Sequence, residues 1–298
     1  VCGGGPIGLE LGQGFAHLGS KVTIIDHNTS LFNRDEPEVW EVMNEALIKE
    51  KIELKLGYEI DSFLEDNLER IVTIKKDGML EEIRGDQILL SLGRKPNTNS
   101  IKLDEIGIIT DKFGSIRIDS RCRTSQKHIF ASGDVAGPFN FTHMAGYQAG
   151  IIIRNTVFKL PSKCDYTKVP WVTFTKPEVA RVGYSERDAI AIGVFKESIK
   201  IDLSKIDRAK CDNDRNGFLK LILNKKKQII GATIVGLNAG EMIMQASQAI
   251  QSKQSINSFL NLIYPYPIKS EIYKFAALDH VKDSFKSWMK KVIKIINY

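Results

Sequence analysis

Residues 1–26 read VCGGGPIGLELGQGFAHLGSKVTIID, and the fold turns on how this stretch is read. Three glycines, Gly3, Gly5 and Gly8, fit the spacing GxGxxG. That spacing alone is a weak signal. Here it follows a short apolar strand, opens a helical run over residues 5–18, and is followed by the β-branched run 21–26 that ends in Asp26. A carboxylate about 20 residues beyond a glycine turn, at the end of the next strand, is the dinucleotide-binding arrangement. Gly3 permits the tight turn, Gly5 lets a pyrophosphate approach the backbone, and Gly8 allows the helix to pack closely on the strand. Pro6 and Ile7 lie between them in the first helical turn. The free N–H groups of that turn favour phosphate. Asp26 would accept from ribose hydroxyls and repel a 2′-phosphate, which favours NADH over NADPH, with His27 and Arg34 nearby as opposing charge. Ile7, Leu11, Phe15 and Leu18 recur at three- and four-residue spacing and form the expected apolar face of the helix.

Outward from this βαβ unit, residues 36–50 predict a second helix and 52–56 a third short strand. Strands at 62–65, 70–75 and 81–85, the last two joined by a Lys76-Asp77-Gly78 turn, predict a meander. Residues 87–93 predict a return as a buried strand. The stretch 97–125 is loop-rich, 127–132 predicts a strand, and 141–157 a helix packed through Ala145, Gly146, Ala149 and Gly150. After a linker at 161–170 an α+β pattern follows. Its strands are expected near 171–174, 180–183, 195–201, 217–223 and 229–235, and its helices at 185–192, 239–251 and 255–261.

The chain has 298 residues, enough for two or three domains, with 43% apolar and 26% charged residues. A net charge of +6 suits an anionic cofactor or membrane surface, but the lysines are scattered up to the last stretch. No aromatic-interleaved basic groove points to nucleic acid. Cys2, Cys122, Cys164 and Cys211 form neither a CxxC pair nor a cluster with histidine, so no metal site is expected and a reducing, cytoplasmic setting is. Cys2 reads as a small buried apolar residue. Cys122, Cys164 and Cys211 lie in unrelated segments and read as redox-inactive. Beginning at Val1 inside a strand, the chain reads as part of a longer protein.

A second signature lies at 124–134, TSQKHIFASGD: a polar residue, an apolar run, then Gly133-Asp134. A carboxylate at the carboxyl end of a strand can bind a cofactor polyol. Between the two signatures stands Ser91-Leu92-Gly93-Arg94-Lys95-Pro96-Asn97. In this order the three stretches resemble the pyridine nucleotide–disulfide oxidoreductases, the group of dihydrolipoamide dehydrogenase, glutathione reductase and mercuric reductase. The resemblance covers essentially the whole chain. Residues 5–8, 141–145 and the C-terminal ending look most like a mercuric-reductase-like bacterial branch.

The resemblance implies an α/β, Rossmann-like NAD-binding domain with its meander over 1–95. It also implies a partial FAD-binding domain over 96–165 and an α+β dimerisation domain over 166–298. It implies FAD and NAD(P)H as cofactors. Electrons would pass from NAD(P)H through FAD to a disulfide or small-molecule acceptor in a homodimer. By analogy, Gly3, Gly5, Pro6, Ile7, Gly8, Asp26 and Gly93 would hold NAD(P)H, and Glu10 would pair with a lysine beside the flavin. Gly133 and Asp134 would bind FAD. Backbone N–H groups of His143, Met144 and Ala145 would stabilise charge on the reduced flavin. The family's N-terminal FAD motif and CxxxxC pair are not in this sequence, so the chain alone is expected to be inactive.

Near the other end the chain reads YPYPIKSE, residues 264–271. In the family a histidine precedes the second proline and a glutamate stands five residues after that histidine, as general base and support. The histidine position is Tyr266 here, and the glutamate is Glu271. Tyrosine titrates near 10, so it is a poor base at neutral pH but can donate. Three roles stay open for Tyr266: proton donor, structural filler, or part of a soft-metal ligand sphere. The family's mercury reducers typically end in paired cysteines, which this chain lacks.

Residues 283–298 interleave Phe285, Trp288, Met289, Val292, Ile295 and Ile296 with lysines. They read either as a helix on a membrane surface or as one packed on its own domain. Two rival readings remain: a membrane-associated NADH:quinone-type flavin dehydrogenase, and a non-catalytic nucleotide-binding or dimerisation module.

Overall fold

The computed structural model describes residues 1–67 and 69–284. The chain divides into two compact units, one of Val1–Leu92 with Pro170–Tyr298, the other of Gly93–Val169.

In the first unit, α1 (Pro6–His17) follows the glycine turn and leads to β1 (Thr23–Asp26). Then come α2 (Pro37–Lys49) and β2 (Glu53–Leu56), which pairs with β1 in parallel. Cys2 bridges Ile25 on one side and Leu90 on the other, both in parallel. The spatial order is therefore β2, β1, the Cys2 segment, the Leu90 segment, one mononucleotide-binding half of a doubly wound sheet. The expected buried strand at 87–93 is reduced to this bridge. Its backbone hydrogen bonds among the described residues run to Cys2, and as an outermost segment it leaves Leu90 and Leu92 exposed. Between β2 and Leu90 lies the meander β3 (Glu59–Asp66), β4 (Glu69–Lys76) and β5 (Met79–Gly85), antiparallel throughout.

The packing face of α1 is not the one its large apolar residues mark. Gly8, Leu9, Gly12 and Gln13 are buried, whereas Ile7, Leu11, Phe15 and Leu18 are exposed. The helix lies too close to the sheet for large side chains at its two glycine positions. A Cβ on Gly8 would fall on the Gly3 carbonyl, and one on Gly12 would touch Ile24 and Val22.

The second unit holds α3 (Thr142–Thr156) and little regular structure around it. The strand expected at 127–132 is a single antiparallel bridge, Arg123 to Phe130, because the described residues offer the stretch no longer ladder. A small core of Leu103, Ile108, Ile116, Ala131 and Ala136 lies beneath these loops. The buried face of α3 is Met144, Gln148 and Ile151. Gly146 and Gly150 are not part of the packing face: Gly146 is exposed, and a Cβ on either would meet nothing within 4 Å.

The rest of the first unit is an antiparallel sheet of β6 (Pro170–Thr173), β7 (Glu178–Gly183), β8 (Glu197–Asp202), β9 (Phe218–Leu223) and β10 (Ile229–Gly236), in the order β6-β7-β10-β9-β8. Short helices α4 (Glu186–Ala191) and α5 (Asp207–Cys211) cap its connections. The long helices α6 (Ala239–Gln251) and α7 (Ile272–Ser284) cover one face. Ala180, Leu221, Ile234, Ile243, Ala246, Tyr273 and Ala277 lie at the centre of that core. Residues 256–261, expected as an α-helix, form a 3-10 helix. The basic stretch from 285 onward lies outside the described residues. No helix among the described residues is long and apolar enough to cross a membrane.

Candidate nucleotide and redox sites

Gly3 sits at φ +105°, and a Cβ there would strike the backbone of Ser91. Ser91 Oγ donates toward the carbonyls of Cys2 (2.9 Å) and Gly3 (2.8 Å), closing the turn from the far side. Gly5 is different. It caps α1 with extended φ −72°, and a Cβ there would meet nothing within 4 Å. The turn is thus tight beneath Gly3 and Gly8 and open above Gly5. The N-terminal N–H groups of α1 have no side-chain cap. An open helix N-terminus with room above one glycine fits a pyrophosphate.

Asp26 is nearly buried, and both its oxygens are engaged. Oδ2 accepts from the Gly4 N–H at 2.7 Å, and Oδ1 accepts from the Asn28 N–H at 2.8 Å and Asn28 Nδ2 at 2.7 Å. A carboxylate offers about four lone-pair sites, so one remains for a ribose hydroxyl. His27 Nδ1 lies 3.5 Å away. Asn28, which orients the carboxylate, was not singled out in the sequence; an Asx residue two after a strand-ending aspartate is the signal for it.

Glu10 accepts from the Phe174 N–H at 2.8 Å. One turn on, the buried Gln13 accepts from the Lys176 N–H (2.6 Å) and donates to the Lys176 carbonyl and to Glu50, each at 2.8 Å. Glu10 and Gln13 thus fasten α1 to the β6–β7 connection. A polar residue on the glycine-lined face of an amphipathic helix was the available clue to Gln13.

In the second unit, Gly133 at φ +79° lies against α3, where a Cβ would come 3.2 Å from the Ala145 side chain. The structure thereby brings Gly133, Asp134 and the start of α3 together. The Gly133 N–H donates to Gln148 Oε1 at 2.6 Å, and Gln148 Nε2 donates to the Gly137 carbonyl and the Tyr166 hydroxyl, both at 3.0 Å. Asp134 is half exposed and pairs with Arg94 at 2.8 Å. Gly93 opens this unit at φ +120° with open space around it. The expected donors at α3 move toward its start by one residue, with His143 kept. Met144 and Ala145 donate to the Phe141 carbonyl at 3.0 and 3.2 Å, which leaves the N–H groups of Thr142 and His143 at the head of the helix. The His143 ring stacks on Phe141 at 5.1 Å between centroids. An exposed carboxylate beside an uncapped helix start fits the polyol and ring of a flavin.

Tyr266 is 72% exposed, and Ile263 on the same turn is 98% exposed. The Tyr266 hydroxyl donates to Asp207 Oδ2 at 3.2 Å, so its partner is Asp207 on α5 rather than Glu271. Lys210 also holds Asp207, at 3.0 Å. The hydrogen bond to the Asp207 carboxylate raises the Tyr266 hydroxyl above the ordinary tyrosine range. At neutral pH this group is therefore protonated.

Two family models match. The pyridine nucleotide-disulphide oxidoreductase model covers residues 1–149, and that family's dimerisation domain covers 169–277. The chain belongs to the pyridine nucleotide-disulphide oxidoreductase family. It is 36% identical over 287 residues to a mercuric reductase of Lysinibacillus sphaericus, covering 96% of this chain and 53% of that one. It is 34% identical over 278 residues to a dihydrolipoyl dehydrogenase of Geobacillus stearothermophilus, covering 93% and 59%. Among solved structures it superposes on LpdA from Mycobacterium tuberculosis with a TM-score of 0.87 at 26% identity, covering 94% of this chain and 60% of that one. The chain thus spans little more than half the length of these relatives. As a member of this flavoprotein family it carries an oxidoreductase nucleotide domain and a dimerisation domain.

Proposed function

We propose that this chain supplies the NADH site, part of the FAD site and the dimer-forming domain of a flavoprotein that passes electrons from NADH to a disulfide or related acceptor. The observation that carries this is the glycine turn, closed beneath Gly3 and Gly8 and open above Gly5, with Asp26 aimed at it through Gly4. When bound, the flavin would accept a hydride from the nicotinamide and hand on two electrons. Gly3, Gly5, Pro6, Ile7 and Gly8 would line the dinucleotide, and the buried Asp26 carboxylate would exclude a 2′-phosphate. Gly133, Asp134 and the head of α3 would hold the flavin's polyol and ring, with Arg94 releasing Asp134. The sequence holds no CxxxxC pair, so the acceptor dithiol would come from outside these 298 residues.

Tyr266 acts as an acid in this reading. Its hydroxyl donates to Asp207, whose carboxylate raises it above the ordinary tyrosine range, and this supports donation over a base role. Glu271 adds negative charge near Tyr266 without a hydrogen bond to it. Homodimer formation through the turn at 263–266 would present Tyr266 to the partner. The acceptor's identity follows from the redox pair supplied to that face.

Anaerobic titration of the full-length protein with NADH tests this. A long-wavelength thiolate-to-flavin band after two electrons supports the disulfide relay. Simple bleaching of the flavin without that band overturns it and leaves an NADH:flavin dehydrogenase. Failure of NADH to bleach the flavin at all leaves a non-catalytic module.

A further inference from the structure

Cys122 and Cys164 are 42 positions apart in sequence, yet their sulfurs lie 3.4 Å from each other in the second unit. The sequence alone separates them into unrelated segments; the fold does not. Cys122 is fully buried at φ +62°, in a tight turn where its N–H donates to Asp119 and its carbonyl accepts from Ala131. Cys164 is partly exposed, and its N–H donates to the Ser120 carbonyl at 2.7 Å. The two backbones are thus already tied beside the sulfurs. Closing a bond of about 2.05 Å asks the sulfurs to approach by little more than an ångström.

We infer that Cys122 and Cys164 form a second dithiol–disulfide couple, oxidised by low-molecular-weight disulfides such as oxidised glutathione. Cys122 Sγ lies 4.0 Å from the Gln148 carbonyl, but neither thiol has a role in the nucleotide sites or the acceptor dithiol proposed above, so the inference stands apart from that reading. The partly exposed Cys164 is the point of entry. It loses its proton, and its sulfur attacks one sulfur of the small disulfide. A protein–S–S–R bond forms, the R–S–S–R bond breaks, and the leaving R–S⁻ takes up the proton. Cys122 then attacks the Cys164 sulfur, releases the second R–S⁻, and passes it its own proton. Two protein thiols are oxidised by two electrons, and one small disulfide is reduced to two thiols. Burial raises the Cys122 thiol to about 12, so Cys122 stays protonated until its partner is activated. The partly exposed Cys164 therefore takes the first attack, and Cys122, with its sulfur already 3.4 Å away, is the one placed to follow.

The test uses the pre-reduced full-length protein, treated with oxidised glutathione, alkylated, and digested without reduction. The wild type is expected to yield a cross-linked pair of peptides joining Cys122 to Cys164, without glutathione on either. Cys122→Ser should trap glutathione on Cys164, because the resolving thiol is gone. Cys164→Ser should leave Cys122 unmodified. Exposed Cys211 serves as an internal gauge of oxidant exposure. The inference is overturned if wild-type Cys164 retains glutathione. It is also overturned if Cys122 and Cys164 are recovered alkylated under conditions that modify Cys211, or if Cys164 cross-links to another cysteine. Should Cys122→Ser fail to fold, the wild-type peptide pair and Cys164→Ser still decide the matter.

Discussion

Two glycines three positions apart do opposite things, and one substitution each separates them. A methyl group on Gly8 would strike the Gly3 carbonyl, a backbone atom that cannot swing aside. Gly8→Ala is therefore expected to push α1 off the sheet and cost about 1 to 3 kcal/mol of stability, read by urea denaturation. Gly5 has ordinary φ and empty space around it. Gly5→Ala should leave stability within about 0.5 kcal/mol of wild type while weakening NADH binding, read by fluorescence titration. If both variants lose stability equally, the space above Gly5 is not a ligand approach. A second residue-level outcome concerns Asp35. Burial raises its carboxyl from 3.8 to about 6, opposed by Arg181. The folded state thus holds its proton more tightly than the unfolded chain. Its contribution to stability is greatest at low pH and is lost as pH rises through the window from 3.8 to about 6. Relative to Asp35→Asn, the wild type should gain on the order of 1 kcal/mol between pH 7 and pH 5. A flat difference across that range would show that Asp35 is ionised throughout.

At the scale of elements, one buried cation joins three of them. Lys220, in the middle of β9, reaches Glu36 and Glu38 at the start of α2 and Glu186 at the start of α4, each at 2.9 Å. Glu36 is itself buried and also accepts the Glu186 N–H at 2.7 Å. Removing the lysine strands a carboxylate away from water, so Lys220→Ala should cost about 3 kcal/mol in chemical denaturation. Pairing Lys220→Met with Glu36→Gln should recover much of that loss. Periodicity could show only part of this scale. The strands β7, β9 and β10 were legible because long β-branched and leucine-rich runs allow little else. The buried face of α1 was hidden, because two of its four residues are glycine and one is glutamine, and a pattern of large apolar residues points elsewhere. The strand at 87–93 read as buried for a related reason: its leucines mark an apolar surface without saying what lies on it.

Across the whole molecule, the glycine turn, Asp26 and Gly133-Asp134 were visible in the sequence because each needs a fixed residue type at a fixed place. Asn28, Gln13, Gln148 and Asp207 were not, because each acts through a contact distant in sequence or through an ordinary polar side chain. The exposed turn at 262–266 carries the remaining consequence. Ile263 is 98% exposed, Tyr266 72% and Leu262 46%, on the domain matched by the family's dimerisation model. In a folded chain so exposed an isoleucine contributes almost nothing to its own unit. Ile263→Asp should therefore leave the denaturation midpoint of the isolated subunit unchanged. If the turn lies across the proposed homodimer interface, burying a new carboxylate there should weaken dimerisation at least about tenfold, roughly 1.4 kcal/mol. Sedimentation across a concentration series reads that shift directly. The proposed NADH-dependent disulfide reduction should fall in parallel with the dimer, because Tyr266 would no longer face the partner. A variant that stays dimeric and active would place the interface elsewhere on the β6–β10 domain and remove Tyr266 from the reaction.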